Sequence, residues 1–226
     1  MIYGSYSTID EMFTACAKYI LSDNYISIPR KGKIYAQHPF MLELSNPRAR
    51  HVTYARRNWS LALAFAEFCW HWRAEDSVGP LAFYAPSWAN AADQNGRIRG
   101  SAYGKQIFRH VGDNLPQWDA TKNLLRRHPS TRRAILYFSD SSHDQLNQID
   151  YPCAINLQFI VRKNQLDAAV FMRSSDLYYG FSYDVFLFTL LQEIMAFDLD
   201  MQLGSYYHMG SSLHIYEKDV NKIPND

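Results

Sequence analysis

The chain has 226 residues, 47% apolar and 20% charged, a balance that fits one globular domain and excludes a disordered chain. Its 23 Lys and Arg against 22 Asp and Glu leave a net charge of +1, without the basic excess that a nucleic-acid partner requires. Three cysteines make no disulfide framework, the first residues lack a signal-peptide pattern, and the most apolar run, Phe181 to Phe197, contains Asp184 and Glu193. A cytoplasmic protein with no membrane contact is expected.

In chain order, Ser7-Thr8-Ile9-Asp10 reads as a capping box, followed by Ile9, Phe13, Cys16 and Ile20 at helical spacing, with Asn24 in the closing turn. Residues 28 to 45, including Phe40 to Leu44, read as a strand pair. From Asn58 to Trp72 the sequence predicts a helix buried on nearly all sides, with Glu67 set in an apolar surface. Residues 74 to 101, rich in Gly and Pro, read as loop. A second amphipathic helix fits 116 to 127, and strands fit 134 to 138, 154 to 161 and 166 to 172, with a turn at Asn164. A buried helix over 184 to 197 and one long strand over 203 to 216 complete the chain. Strands and helices mix without βαβ regularity, so the fold class is α+β.

Candidate chemistry gathers in the second half. Asp150-Tyr151-Pro152-Cys153 leads into a strand, so proline sets the thiol at a loop-to-strand junction; a lone intracellular Cys is more often a small buried hydrophobe. Arg173 with Ser174 and Ser175, and separately Arg132 with Arg133, carry the donors of anion sites, or are solvated charge. His208 and His214 fall on one strand, aimed to one face roughly 20 Å apart, too far for one metal. HExxH, CxxC, GxSxG and GxGxxG patterns are missing, and no metal is expected.

Taken in order, Pro152-Cys153, Gln158-Phe159, Arg173-Ser174-Ser175-Asp176, Gly180 and His214-Ile215-Tyr216 resemble the catalytic half of the thymidylate synthase family. Upstream, Glu67 in the sequence AEFCWHW, Trp88, Tyr103-Gly104-Lys105-Gln106 and Arg132-Arg133 resemble further family motifs, so the likeness runs from roughly residue 58 to 217. The resemblance implies a single thymidylate synthase-like domain over 1–226, with a large mixed sheet packed against helices and forming a dimer interface. It implies Cys153 as nucleophile, Glu67 as acid–base group and Asp184 as reader of the base. Arg173, Ser174, Gln158, His214, Tyr216 and Arg30 would bind the nucleotide, joined by Arg132 and Arg133 of the partner subunit in a homodimer. Asp176, Trp88, Gly180 and Tyr103 would line the side for 5,10-methylenetetrahydrofolate, and a pyrimidine nucleoside monophosphate would be the substrate.

Departures from the family pattern narrow the expectation. Asp184 stands where thymidylate synthases carry Asn, as it does in the family's deoxycytidylate hydroxymethylases. An amide suits uracil, whereas a carboxyl matches the opposite donor and acceptor pattern of cytosine. Helix capping and the helix dipole also favour an Asp here. Ala154 replaces the family's His, and ten residues follow Tyr216, which fits a shortened closing segment and water as the terminal nucleophile. Hydroxymethylation of CMP or dCMP is therefore expected. Methylation or hydroxymethylation of dUMP, and nucleotide binding without catalysis, are the alternatives.

Overall fold

A computed structural model describes residues 2–23, 25–29, 31–110, 112, 114–139 and 149–223. Asn24 and Arg30 lie outside the described residues. The elements are β1 (Ile2–Tyr6), α1 (Ile9–Asp23), β2 (Ile26–Ser27), β3 (Ile34–Gln37), β4 (Phe40–Leu44), α2 (Leu61–Trp72), α3 (Gly79–Tyr84), α4 (Tyr103–Phe108) and α5 (Gln117–Arg127). They continue with β5 (Ile135–Tyr137), β6 (Ala154–Arg162), β7 (Gln165–Met172), β8 (Ser175–Asp176), α6 (Phe181–Asp198), β9 (Gln202–Gly210) and β10 (Leu213–Tyr216). Short 3₁₀ turns cover Ala55–Arg57, Pro86–Ala91 and Glu217–Lys222. Two compact units result: Met1–Trp59 with Arg162–Asp226, and Ser60–Val161. Among the described residues no helix is long and apolar enough to cross a membrane.

In the first unit β1 runs parallel to β4, β4 antiparallel to β9, and β9 parallel to β7, which makes a mixed sheet. A second sheet runs β2-β3-β10-β8. Two sequence expectations are corrected here. β3 and β4 are not paired with each other; they belong to different sheets. The single strand over 203 to 216 is two strands, β9 and β10, so His208 pairs with Leu42 while His214 pairs with Ala36 in the other sheet. The break falls where the chain bonds the end of β7 and the start of β8: Ser211 N–H donates to the Met172 carbonyl (3.0 Å), and Ser175 N–H to the Ser212 carbonyl (2.8 Å). A Cβ on Gly210 would lie 2.2 Å from the Met172 carbonyl oxygen, so only glycine permits this approach.

Helix α1 starts at the capping signal, but with both partners moved one residue on, from Ser7 and Asp10 to Thr8 and Glu11. Thr8 Oγ1 accepts from Glu11 N–H (3.2 Å), and the reciprocal carboxylate is Glu11, which accepts from Ser7 N–H (2.9 Å). Asp10 instead accepts from Thr53 N–H. α6 begins three residues earlier than expected and is buried over most of its surface, from Phe181 to Ala196, against β7 and β9. The β7–β9 ladder shifts register between Leu166 and Ala168, a bulge whose carbonyls need a donor. Gln192 supplies it: its Nε2 donates to the carbonyls of Leu166 (2.9 Å), Gly204 (3.2 Å) and Ser205 (3.1 Å).

In the second unit Ser60 caps α2, its Oγ accepting from Leu63 N–H at 3.2 Å. α2 buries Leu63, Ala64, Glu67, Trp70 and His71, but Leu61, Phe65, Cys69 and Trp72 are exposed, so the helix buries one face and not all sides. Residues 74 to 101 hold α3 and a 3₁₀ turn. Pro80 and Pro86 stand in the first turn of each, where a missing N–H costs nothing, and act as starters of helix rather than breakers. Trp70, Leu81, Ile98 and Ala102 form the core beneath them, with Trp88 packed on it.

Replacing Gln192 by Leu leaves three bulge carbonyls without their donor. The expected loss is about 2–3 kcal/mol of stability, read as a lowered urea midpoint; an unchanged midpoint would contradict this role.

Candidate active site

The second unit builds its site around one phenol. Tyr103, at the start of α4 and buried, places its hydroxyl oxygen to accept from Cys153 N–H (3.2 Å) and Ala154 N–H (3.1 Å). The loop before the thiol is fixed again by Asp150, whose carboxylate accepts from Gly100 N–H (3.0 Å), Ser101 N–H (2.6 Å) and the Ser101 hydroxyl (2.8 Å). A Cβ on Gly100 would lie 2.5 Å from the Tyr151 carbonyl carbon, so the two loops pass in near contact. Cys153 is half-buried, Cys69 exposed and Cys16 buried, and burial pushes the Cys16 thiol well up.

Glu67 is buried on α2, and desolvation pushes its carboxyl up to about 7. One turn on, His71 Nε2 lies 4.0 Å from Glu67 Oε1, and His71 Nδ1 accepts from Gly104 N–H at 3.2 Å. Trp88 lies on the 3₁₀ turn against Trp70, with ring centroids 6.2 Å apart. Arg132 and Arg133 are exposed after α5. Gln158 has a partner in the chain already: its Nε2 donates to the Arg132 carbonyl (2.8 Å) and so steadies the arginine-bearing turn.

In the first unit Arg173 is exposed and Ser174 half-buried, between β7 and β8. Asp176 accepts from Tyr178 N–H (3.0 Å) and Tyr179 N–H (3.2 Å). Burial pushes its carboxyl up to about 6; those hydrogen bonds and the Arg57 charge pull the other way, and Asp219 adds to the rise. Arg57 is buried, its guanidinium 4.7 Å from the Tyr178 ring centre and donating to the Tyr179 carbonyl at 3.1 Å.

The Gly180 carbonyl accepts from Asp184 N–H (2.9 Å), which sets Asp184 in the first turn of α6. A Cβ on Gly180 would lie 3.4 Å from Asp184 Oδ2, so the carboxylate turns back toward the helix start. The Asp184 charge, after burial, helps raise the Tyr206 phenol. His214 is buried, edge-on to Tyr216 (5.2 Å), and its Nδ1 has no hydrogen-bond partner. His208 is bracketed by the Tyr206 hydroxyl, 2.8 Å from Nδ1, and the Ser175 hydroxyl, 3.2 Å from Nε2.

Within the second unit the structure thus joins Cys153 to Tyr103. Within the first it gathers Asp176, Gly180 and Asp184 at the start of α6, and pairs Asp176 with His214 in neighbouring strands. Sequence reasoning missed Asp150, His71, Arg57 and the Tyr206–His208–Ser175 chain. The spacing of His71 from Glu67, four residues on one helix, was a usable signal; nothing in the sequence marked Arg57 as buried. Among the described residues no group of His, Cys, Asp and Glu is placed to hold a metal ion.

The family model for thymidylate synthase matches residues 15–226. The chain belongs to the thymidylate synthase family. Its α+β build, with a mixed sheet packed against helices, is in keeping with that membership. The chain is 28% identical over 219 residues to a deoxyuridylate hydroxymethyltransferase of Bacillus phage SP01, covering 92% of this chain and 57% of that protein. Similar too are the thymidylate synthases of Wigglesworthia glossinidia brevipalpis (29% over 160 residues; 69% of this chain, 60% of the relative) and Buchnera aphidicola subsp. Schizaphis graminum (28% over 159 residues; 68% and 59%). The chain spans less than two thirds of the length of each of these relatives.

The buried imidazoles predict an acid-side loss of stability. Burial holds His71 and His208 at about 3 and His214 at about 4, against an ordinary 6.5. Between those values the unfolded chain binds protons that the folded chain refuses. Stability is therefore full above pH 6.5 and falls with pH by up to ~1.4 kcal/mol per unit per imidazole. Glu67, raised above its unfolded 4.5, works oppositely, its contribution fading as pH rises through about 7. Urea midpoints at stepped pH check this: His208→Phe should flatten the acid slope by about one proton, and an unaltered slope would contradict it.

Proposed function

We propose that this protein is a one-carbon transferase that hydroxymethylates C5 of a cytidylate, CMP or dCMP. The observation that carries the choice of base is Asp184 in the first turn of α6, where the family's thymidylate synthases carry Asn. A protonated carboxyl can donate to cytosine N3 while accepting from the N4 amino group; an ionised one can pair with the N3-protonated base. A site set for one pattern rejects the other because mismatch leaves polar groups unpaired.

The reacting groups then have these roles. Cys153 adds its sulfur to C6, which makes C5 electron-rich. Tyr103 holds the backbone of Cys153 still. Glu67, with a carboxyl near neutrality, can take or return a proton at working pH. Arg173 and Ser174, with Arg132 and Arg133 from a second subunit, hold the phosphate, and His214 and Tyr216 the sugar. 5,10-Methylenetetrahydrofolate supplies the one-carbon unit. Asp176 fits its pterin: a carboxyl raised to about 6 can accept from ring N–H groups or share a proton with them. Trp88 offers an aromatic face for the folate. C5 then attacks the methylene carbon of the folate; loss of the C5 proton expels tetrahydrofolate and leaves an exocyclic methylene, water adds to that carbon, and the Cys153 thiolate departs, restoring the C5–C6 double bond.

A second reading, hydroxymethylation of dUMP, is favoured by the phage SP01 relative's activity. Incubation with methylenetetrahydrofolate and CMP, dCMP, UMP or dUMP in turn, followed by product mass, separates the two. The expected product is a cytidylate heavier by CH₂O, with no dihydrofolate absorbance. The same gain on dUMP supports the second reading, and a gain of CH₂ with dihydrofolate overturns both. Asp184→Asn should move preference from cytidylate to uridylate by at least about 100-fold in kcat/KM, and Cys153→Ser should abolish turnover.

A further inference from the structure

His71 has no role in the mechanism above, yet it lies against Tyr103, which holds the nucleophile's backbone, and one helical turn from Glu67. Gly104 N–H can only donate, so His71 Nδ1, at 3.2 Å, is a bare acceptor and the ring proton sits on Nε2. That N–H faces Glu67 Oε1 at 4.0 Å, one helical turn back. The imidazole lies flat against Tyr103, with centroids 5.5 Å apart and planes 10° apart, and edge-on to Trp70 at 4.9 Å. The backbone seals the arrangement: a Cβ on Gly104 would fall 1.8 Å from the His71 carbonyl oxygen, so α4 is pressed directly on the last turn of α2.

We propose that His71 is a positioning residue, which locks Tyr103 under the Cys153–Ala154 backbone and presents a fixed Nε2–H to Glu67. This rests on the reading of Glu67 as the acid–base group. In the structure the two groups stand 4.0 Å apart. Once the carboxyl ionises, the imidazole N–H is the donor one turn away that closes on it, favouring the charged form in a buried setting. Helices α3 and α4 pack on α2. Their titratable groups are Tyr84, exposed, Tyr103, and Lys105, which is engaged with Asp76. Arg109, just past α4, is turned to the Ala74 carbonyl. Burial alone, at about 3 for His71, keeps the imidazole neutral and in one tautomer.

The test reads the groups directly in the full chain. In the wild type, ¹⁵N spectra should show His71 protonated at Nε2 and bare at Nδ1, unchanged from neutral pH down to about pH 5. The ¹³C signal of the Glu67 carboxyl should titrate about one pH unit higher in His71→Asn and His71→Phe than in the wild type. Asn keeps an acceptor for Gly104 N–H but lacks the N–H reaching Glu67, so it isolates that contact even where the Phe variant fails to fold. A proton on Nδ1, or a Glu67 titration identical in wild type and Asn variant, overturns the proposal. Both readouts are independent of turnover: a shifted titration in a protein that converts no nucleotide would sink the functional reading and leave this one standing.

Discussion

Two backbone N–H groups, those of Cys153 and Ala154, end on a single phenol oxygen. The geometry of the second unit follows from that junction. The phenol sits on α4, which reaches its place only because Gly104 lacks a side chain and bonds back to His71 on α2. The loop before Cys153 is clasped independently by Asp150 across Gly100 and Ser101. A thiol held by its own backbone from two directions has little freedom to wander. Such preorganisation is what a nucleophile needs if attack is to cost no rearrangement.

The first unit solves a different problem, the burial of polar groups. α6 lies in apolar surroundings, and the bulge it covers is satisfied by the Gln192 amide. His208, in full burial, is neutral between two hydroxyls, and one of them belongs to Ser175, next to the candidate pterin residue Asp176. Asp176 has its shape fixed by two backbone donors while its proton affinity is set by burial. The two donors that fix its position also pull the carboxyl down against burial, so position and charge state are coupled.

The sequence was legible where one residue type does one job. The Pro-Cys junction, the Arg-Ser-x-Asp run and the strands expected over 134 to 138, 154 to 161 and 166 to 172 lie where pattern places them, because strand ends and tight junctions are local. α1 was legible in position but not in its cap partner, since Asp10 and Glu11 are equally good acids and only the return of the chain to Thr53 separates them. The split of the last strand had a signal in Gly210-Ser211-Ser212, turn formers between two strand-like runs, and the break is fixed by bonds to the Met172 and Ser175 backbone. α2 looked buried on all sides because composition reports how apolar a helix is, not which of its faces finds a neighbour. Arg57 carried no signal in the sequence; aromatic rings from residues more than a hundred positions away bury it.

Graded thiol exposure bears on how Cys153 can be studied. Cys69, on the solvent face of α2, is the more open of the two accessible thiols, while Cys16 is sealed in the core. An alkylating reagent added to the native protein meets Cys69 before or alongside Cys153. The stoichiometry of labelling then counts a bystander with the nucleophile, and loss of activity has to be matched to the labelled peptide rather than to total thiol consumed. Replacing Cys69 with Ser, on a face already in water, would give a background in which reagent uptake and Cys153 occupancy are the same quantity.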